Sequence, residues 1–282
     1  MFVCPDCKSP MEELYCRQCQ SRFPITDGIP VLLPREQRFH SAALIGDAYD
    51  EIYAKRSNVW SNQGRTPEFI QYFAALLESV STGKVLEIGC GEGFLLAAMT
   101  ASEKTAIDIS AEALRKARSR TKAEFGIALA ERLPFPDCTF DMVATVGVME
   151  HFLDDREATR EIWRVLRSGG HYALLIHVDL SPGQRLAVKF SEFVFPRFRP
   201  LALLQWLYGK ATRSVIQPIQ RLYTVSSARA CLEVSGLRIS KVISKESDSH
   251  AVLSGPQVVI FLAQKPVSGS VASVQDSAGR DI

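Results

Sequence analysis

The chain has 282 residues, of which 46% are hydrophobic, and its 33 Lys and Arg against 31 Asp and Glu leave a net charge of +2. These figures fit a globular protein with room for one large domain, or an ordinary domain with a small appendage. They argue against a wholesale nucleic-acid binder, and no apolar run reaches the roughly 18 residues a membrane-spanning helix needs.

The opening residues MFVCPDCKSP lack a basic start followed by an apolar stretch, so no signal peptide is read there and a cytoplasmic setting is expected. Four of the seven cysteines stand there as two C-x-x-C pairs, Cys4 with Cys7 and Cys16 with Cys19. Each pair can turn two thiolates toward one ion, and a hairpin between the pairs would complete a tetrahedral Cys4 site. Zinc suits such a set, and over residues 1–34 it would substitute for a core that so short a segment cannot build. A structural metal site is therefore expected, with a disulfide staple or redox chemistry as the alternatives. MEELYC reads as a strand, and FPITDGIPVLLP as two strands around a turn at Asp27-Gly28. The segment is nearly neutral, whereas a ribbon that grips nucleic acid should be basic. Cys90, Cys138 and Cys231 stand alone in apolar patterns and are expected to be small buried hydrophobes.

Residues 35–65 show no strong periodicity. TPEFIQYFAALLE then predicts a helix, capped by Thr66, with Pro67 in its first turn and Phe69, Ile70, Phe73, Leu76, Leu77 and Val80 on one face. KVLEIGCGEGFLLAAM runs from a short apolar strand through Glu87, Gly89, Gly91 and Gly93 into an apolar helix. Glycines at such a turn let backbone approach a ligand. The next strand ends at Asp108, where a ribose diol would need a carboxylate acceptor. Ser110 caps AEALRKARSR, FDMVATV is a buried strand, DDREATREIWRVLRSGG is an amphipathic helix stopped by Gly169-Gly170, and HYALLIHV is another strand. Strands alternating with helices predict an α/β, doubly wound sheet. His177 falls at the carboxyl end of its strand, the edge where open α/β sheets bind ligands. It and His151 are the candidate bases.

A dinucleotide fingerprint would need glycine three residues after Gly91, where this chain has Phe94. The E-x-G-x-G-x-G run, with LPFPDCTFD and VMEHF, instead resembles the class I S-adenosylmethionine (SAM)-dependent methyltransferases, a group with quinone, small-molecule and lipid enzymes. The resemblance spans about residues 47–179 plus a C-terminal helix and strand pair. It implies a Rossmann-like sheet of seven strands over 35–265 and SAM as co-substrate. By that resemblance, Glu87, Gly89, Gly91 and Gly93 hold the methionine end and the ribose, Asp108 takes the ribose hydroxyls, and Ile109 packs on adenine. Leu129 replaces an acid that commonly meets the adenine amino group, leaving the Ala130 backbone for that contact. Val146 and Gly147 line the methyl-transfer mouth, and Tyr49 and Tyr53 resemble the tyrosines of a helix that covers SAM.

Residues 180–222 interleave seven Arg and Lys with aromatics, which suits a lid over an acidic or lipid-like substrate, or contact with an anionic membrane surface. The tail 266–282 reads as disordered. The zinc ribbon also resembles that of an rRNA guanine methyltransferase and of small activators of RNA and protein methyltransferases. An rRNA or tRNA methyltransferase and a non-catalytic adaptor, with a protein partner on the ribbon, are thus the alternatives.

Overall fold

The computed structural model describes residues 2–35, 41–55, 66–81, 83–178, 221–244 and 258–267. Nearly all of the expected lid at 180–222 and tail at 266–282 lies outside the described residues.

The chain opens with four two-residue strands, β1 Tyr15–Cys16, β2 Ser21–Arg22, β3 Ile25–Thr26 and β4 Ile29–Pro30. β1 pairs with β2 and β3 with β4, both antiparallel. Strand character in MEELYC is confined to its last two residues, because Glu13 and Leu14 take positive φ and turn the chain. Asp27 and Gly28 also have positive φ, the geometry a tight two-residue hairpin demands. Helices α1 Ser41–Lys55 and α2 Pro67–Glu78 follow. Thr66 caps α2 as expected, its Oγ1 accepting from the Phe69 amide, and Phe69, Ile70, Phe73 and Leu77 are buried.

The main body runs β5 Lys84–Ile88, α3 Phe94–Ala98, β6 Glu103–Asp108, α4 Ala111–Arg120, β7 Glu124–Ile127, β8 Phe140–Val146, α5 Asp155–Val165, β9 Leu166–His177, α6 Val225–Val234, β10 Arg238–Ser244 and β11 Val258–Gln264. Seven strands form one sheet in the order β10-β11-β9-β8-β5-β6-β7, as expected. Six run in one direction, and β11 alone among them runs antiparallel, to both of its neighbours. Being buried on both faces, the central strands carry continuous apolar runs instead of alternation. Two details differ from the expected pattern. The amphipathic helix ends at Val165, and the strand begins at once at Leu166 and passes through Gly169-Gly170. Those glycines bend the strand rather than stop the helix: Gly169 has a φ of +79°, and a Cβ on Gly170 would lie 2.9 Å from the Arg167 carbonyl oxygen. Cys90 is buried as expected, but Cys138 is exposed, on a left-handed turn residue, and Cys231 is half-buried.

The N-terminal segment straddles the β7 edge of the sheet. Val31 bridges to Ile127 in parallel, and the Leu32 amide donates to the Ile127 carbonyl at 2.7 Å. On one face of the sheet Cys4, Cys16, Phe23 and Leu32 join the core of Leu133, Phe135 and Phe140, and Ile29 joins the core on the other face. An edge that would otherwise present unpaired backbone is thereby covered.

Candidate functional site

The candidate site gathers at the carboxyl ends of β5, β6, β8 and β9. Glu87, the fourth residue of β5, is buried. The turn after it places Gly89, Gly91 and Gly93 at φ of +67°, +52° and +74°. A Cβ on Gly89 would lie 2.6 Å from both Val148 methyls, and one on Gly91 would lie 2.8 Å from Tyr53 Oη. Gly93 precedes α3 and packs against Ala117 of α4. Gly91→Ala should therefore cost about 1–3 kcal/mol from backbone strain and the Tyr53 clash, read as a lowered midpoint in urea unfolding.

Asp108 ends β6 with 8% exposure. Its Oδ2 accepts from the Gly91 amide at 2.8 Å and its Oδ1 from the Ser110 amide at 2.9 Å, so one carboxylate ties the glycine turn to the start of α4. Burial pushes this carboxyl up, against the pull of the Ser110, Gly91 and Ile109 amides. Ile109 is half-buried beside Leu129, Leu33 and Leu153. Leu129 packs with Ala42 of α1, an apolar contact at the edge of the site. Ala130 opens the buried 3-10 turn Ala130–Arg132, whose Glu131 accepts from the Leu153 and Asp154 amides and orders the entry to α5.

Helix α1 docks over this edge. Asp50 Oδ1 accepts from Ser110 Oγ at 2.5 Å and from the Glu112 amide at 2.9 Å, capping α4 from a neighbouring helix. Lys116 Nζ donates to the Tyr53 carbonyl at 2.5 Å. Burial, with the carboxylates of Asp108 and Glu150 close by, pushes the Tyr49 hydroxyl pKa up. Tyr49 packs against the cluster of Ile52, Tyr53 and Ala113, and the other side of the site lies at β8 and β9.

There the 3-10 turn Met149–His151 follows the buried Val146 and the left-handed Gly147. Glu150, 4% exposed, accepts through Oε1 from the His177 amide at 2.8 Å and lies 3.1 Å from His177 Nδ1. Burial alone would raise the Glu150 carboxyl, but the His177 ring and amide overcome it and hold it below the usual range. The His177 side chain remains 42% exposed. His151 is half-buried, its amide donating to the Val148 carbonyl. Arg221 locks this corner: its amide donates to the Glu150 carbonyl and its guanidinium to the carbonyls of Phe152 and Leu153. Sequence reasoning passed over Asp50, Glu150 and Arg221. Only the EH pair beside the candidate base hinted at Glu150.

In the N-terminal segment, the Sγ atoms of Cys4, Cys7, Cys16 and Cys19 all lie within 4.8 Å of one another. Cys4–Cys19 and Cys7–Cys16 stand 3.5 and 3.4 Å apart, near the about 3.8 Å that tetrahedral zinc–thiolate bonds impose. Burial pushes the Cys4 and Cys16 thiols up, whereas hydrogen bonds from Ser9 hold Cys7 at about 6. The set fits one tetrahedral ion.

Residues 86–174 match the family described as methyltransferase domain, and residues 1–28 the Trm112p-like protein family. Methyltransferase GfsG of Streptomyces halstedii is 37% identical over 34% of this chain and 38% of its own length. A Mycobacterium tuberculosis protein, named a probable S-adenosylmethionine-dependent methyltransferase, is 40% identical over 36% of this chain and 38% of its own. The chain thus spans well under two thirds of these relatives. Among solved structures, a chain from the Haloferax volcanii complex between the Trm112 methyltransferase activator and a protein named as a methyltransferase superposes with a TM-score of 0.58. It is 16% identical, over 79% of this chain and 97% of its own, which shows a shared fold. Together with the glycine turn and the buried acid at the end of β6, these matches identify a methyltransferase domain over residues 86–174, preceded by a Trm112p-like segment that carries the four cysteines.

Proposed function

We propose that the chain binds SAM along Glu87, Gly89, Gly91, Gly93 and Asp108 and transfers a methyl group to a small-molecule or lipid-like acceptor. The observation that carries this reading is the buried Asp108 carboxylate, tied to the glycine turn at the ligand-binding edge of the sheet. Bound SAM would supply an electrophilic methyl group. Asp108 would accept from the ribose hydroxyls, and Ile109 and the Ala130 backbone would hold the base. Val146 and Gly147 would border the acceptor, with Tyr49 and Tyr53 of α1 excluding water.

Methyl transfer demands alignment first, and a base where the nucleophile carries a proton. Glu150 would fix the His177 ring by accepting from Nδ1–H, which leaves Nε2 to take the acceptor's proton; His151, on the neighbouring turn, is the second candidate. With a proton-bearing acceptor, His177→Asn should lower kcat by about 10²–10⁴-fold with SAM affinity unchanged. Calorimetric titration tests the cofactor reading directly, and no heat at millimolar SAM would overturn it.

For residues 1–34 we propose structural zinc, with 35–265 as the methyltransferase domain. The likeness to an activator family supports a second reading of the ribbon, as an element acting on a methyltransferase domain; here it lies against the chain's own. No helix among the described residues is long and apolar enough to cross a membrane.

A further inference from the structure

The N-terminal ribbon touches the main body at both ends of one short stretch, residues 127–135. At the front, the Leu32 amide donates to the Ile127 carbonyl at 2.7 Å. At the rear, the Val3 amide donates to the Pro134 carbonyl at 2.9 Å, and Lys8 Nζ donates to the Leu133 carbonyl at 3.1 Å. Lys8 also pairs with Glu161 of α5 at 2.7 Å. Phe2 stacks at a tilt on Phe135, ring centres 5.5 Å apart, and its ring fills the space that Gly126 leaves, where a Cβ would sit 3.2 Å away.

Between these anchors lie Ala128, Leu129 and Ala130. The Ala128 amide donates to the Asp108 carbonyl at 3.2 Å, so the stretch borders the residue placed at the ribose. Backbone hydrogen bonds select a ligand only if the backbone is fixed beforehand. Leu129 cannot supply the polar side chain that would relax this need.

We infer that the Cys4 ribbon is a positioning element for the cofactor site: it holds residues 127–135 at both ends and thereby sets the backbone that reads the base. This rests on the SAM reading above. The ribbon then acts on cofactor selection from outside the site, touching no reacting atom.

The test uses the full chain with its four cysteines intact. Phe2→Ala combined with Lys8→Met removes two rear contacts, and Glu161 keeps Arg164 as a partner at 2.6 Å. Phe73→Leu, a packing loss within the core on the opposite face, is the control for general destabilisation. Calorimetry measures S-adenosylhomocysteine and its hypoxanthine analogue S-inosylhomocysteine, which differ only at the base. Wild type should prefer the adenine ligand. The double variant should lose roughly three- to tenfold in that preference, about one hydrogen bond's worth, at unchanged metal content, while Phe73→Leu keeps it. A preference retained by the double variant overturns the proposal, as does an equal loss for both ligands or in the control. If wild type binds neither ligand, the SAM reading itself falls.

Discussion

Asp108→Ala should abolish measurable SAM binding, a loss of at least about 100-fold in a calorimetric titration. Two effects combine. The carboxylate proposed to receive the ribose is gone, and the Gly91 and Ser110 amides lose their acceptor. Leaving buried donors unsatisfied costs about 1–3 kcal/mol each, so the glycine turn should loosen and the melting temperature should fall. Asp108→Asn separates the two effects. Its carbonyl oxygen can still serve one of the amides, so much of the stability should return, whereas a ribose diol facing an amide should still bind weakly. Asp108→Ala binding within threefold of wild type would remove this residue from the cofactor site.

The second large effect should follow Cys4→Ser. Wild type is expected to hold about one zinc per chain by metal analysis, and the variant markedly less. Structural zinc contributes on the order of 10 kcal/mol in comparably small segments, far more than the core of residues 1–34 can replace. Cys4 is fully buried against Cys16, Phe23 and Leu32, so release of the ion should melt the segment as a unit. Hydrogen exchange should then become fast from Val3 to Leu32, with protection kept in β5 and β6. Unchanged metal content together with unchanged protection would falsify the zinc assignment.

Much of this was legible in the sequence because the signals are local. A strand running into three glycines, an acid at the next strand's end, Ser110 before a helix and paired cysteines are all set by neighbouring residues. The dual role of Asp108 was half visible: its place was, its grip on Gly91 was not. Glu150 and His177 read as separate features, since nothing in their spacing says that β8 and β9 lie side by side. Asp50 was hidden in the same way, capping a helix that starts some sixty residues later. The docking of the ribbon was the least visible. Its contacts are backbone hydrogen bonds, aromatic and aliphatic packing and the Lys8–Glu161 ion pair, which carry no motif. Gly169-Gly170 misled because glycine after an amphipathic run commonly stops a helix, whereas here the chain had already become a strand.

The bridge between Val31 and Ile127 also bears on how the protein comes into being. The four cysteines are synthesised before the strands of the large sheet, and the proposed ion would let the segment they close begin to fold before that sheet exists. Its landing edge, β7, emerges only after β5 and β6, so the segment must wait on the nascent chain for its seat. When β7 arrives, the cover is tethered to the same chain, at an effective concentration no separate protein in the cell could match.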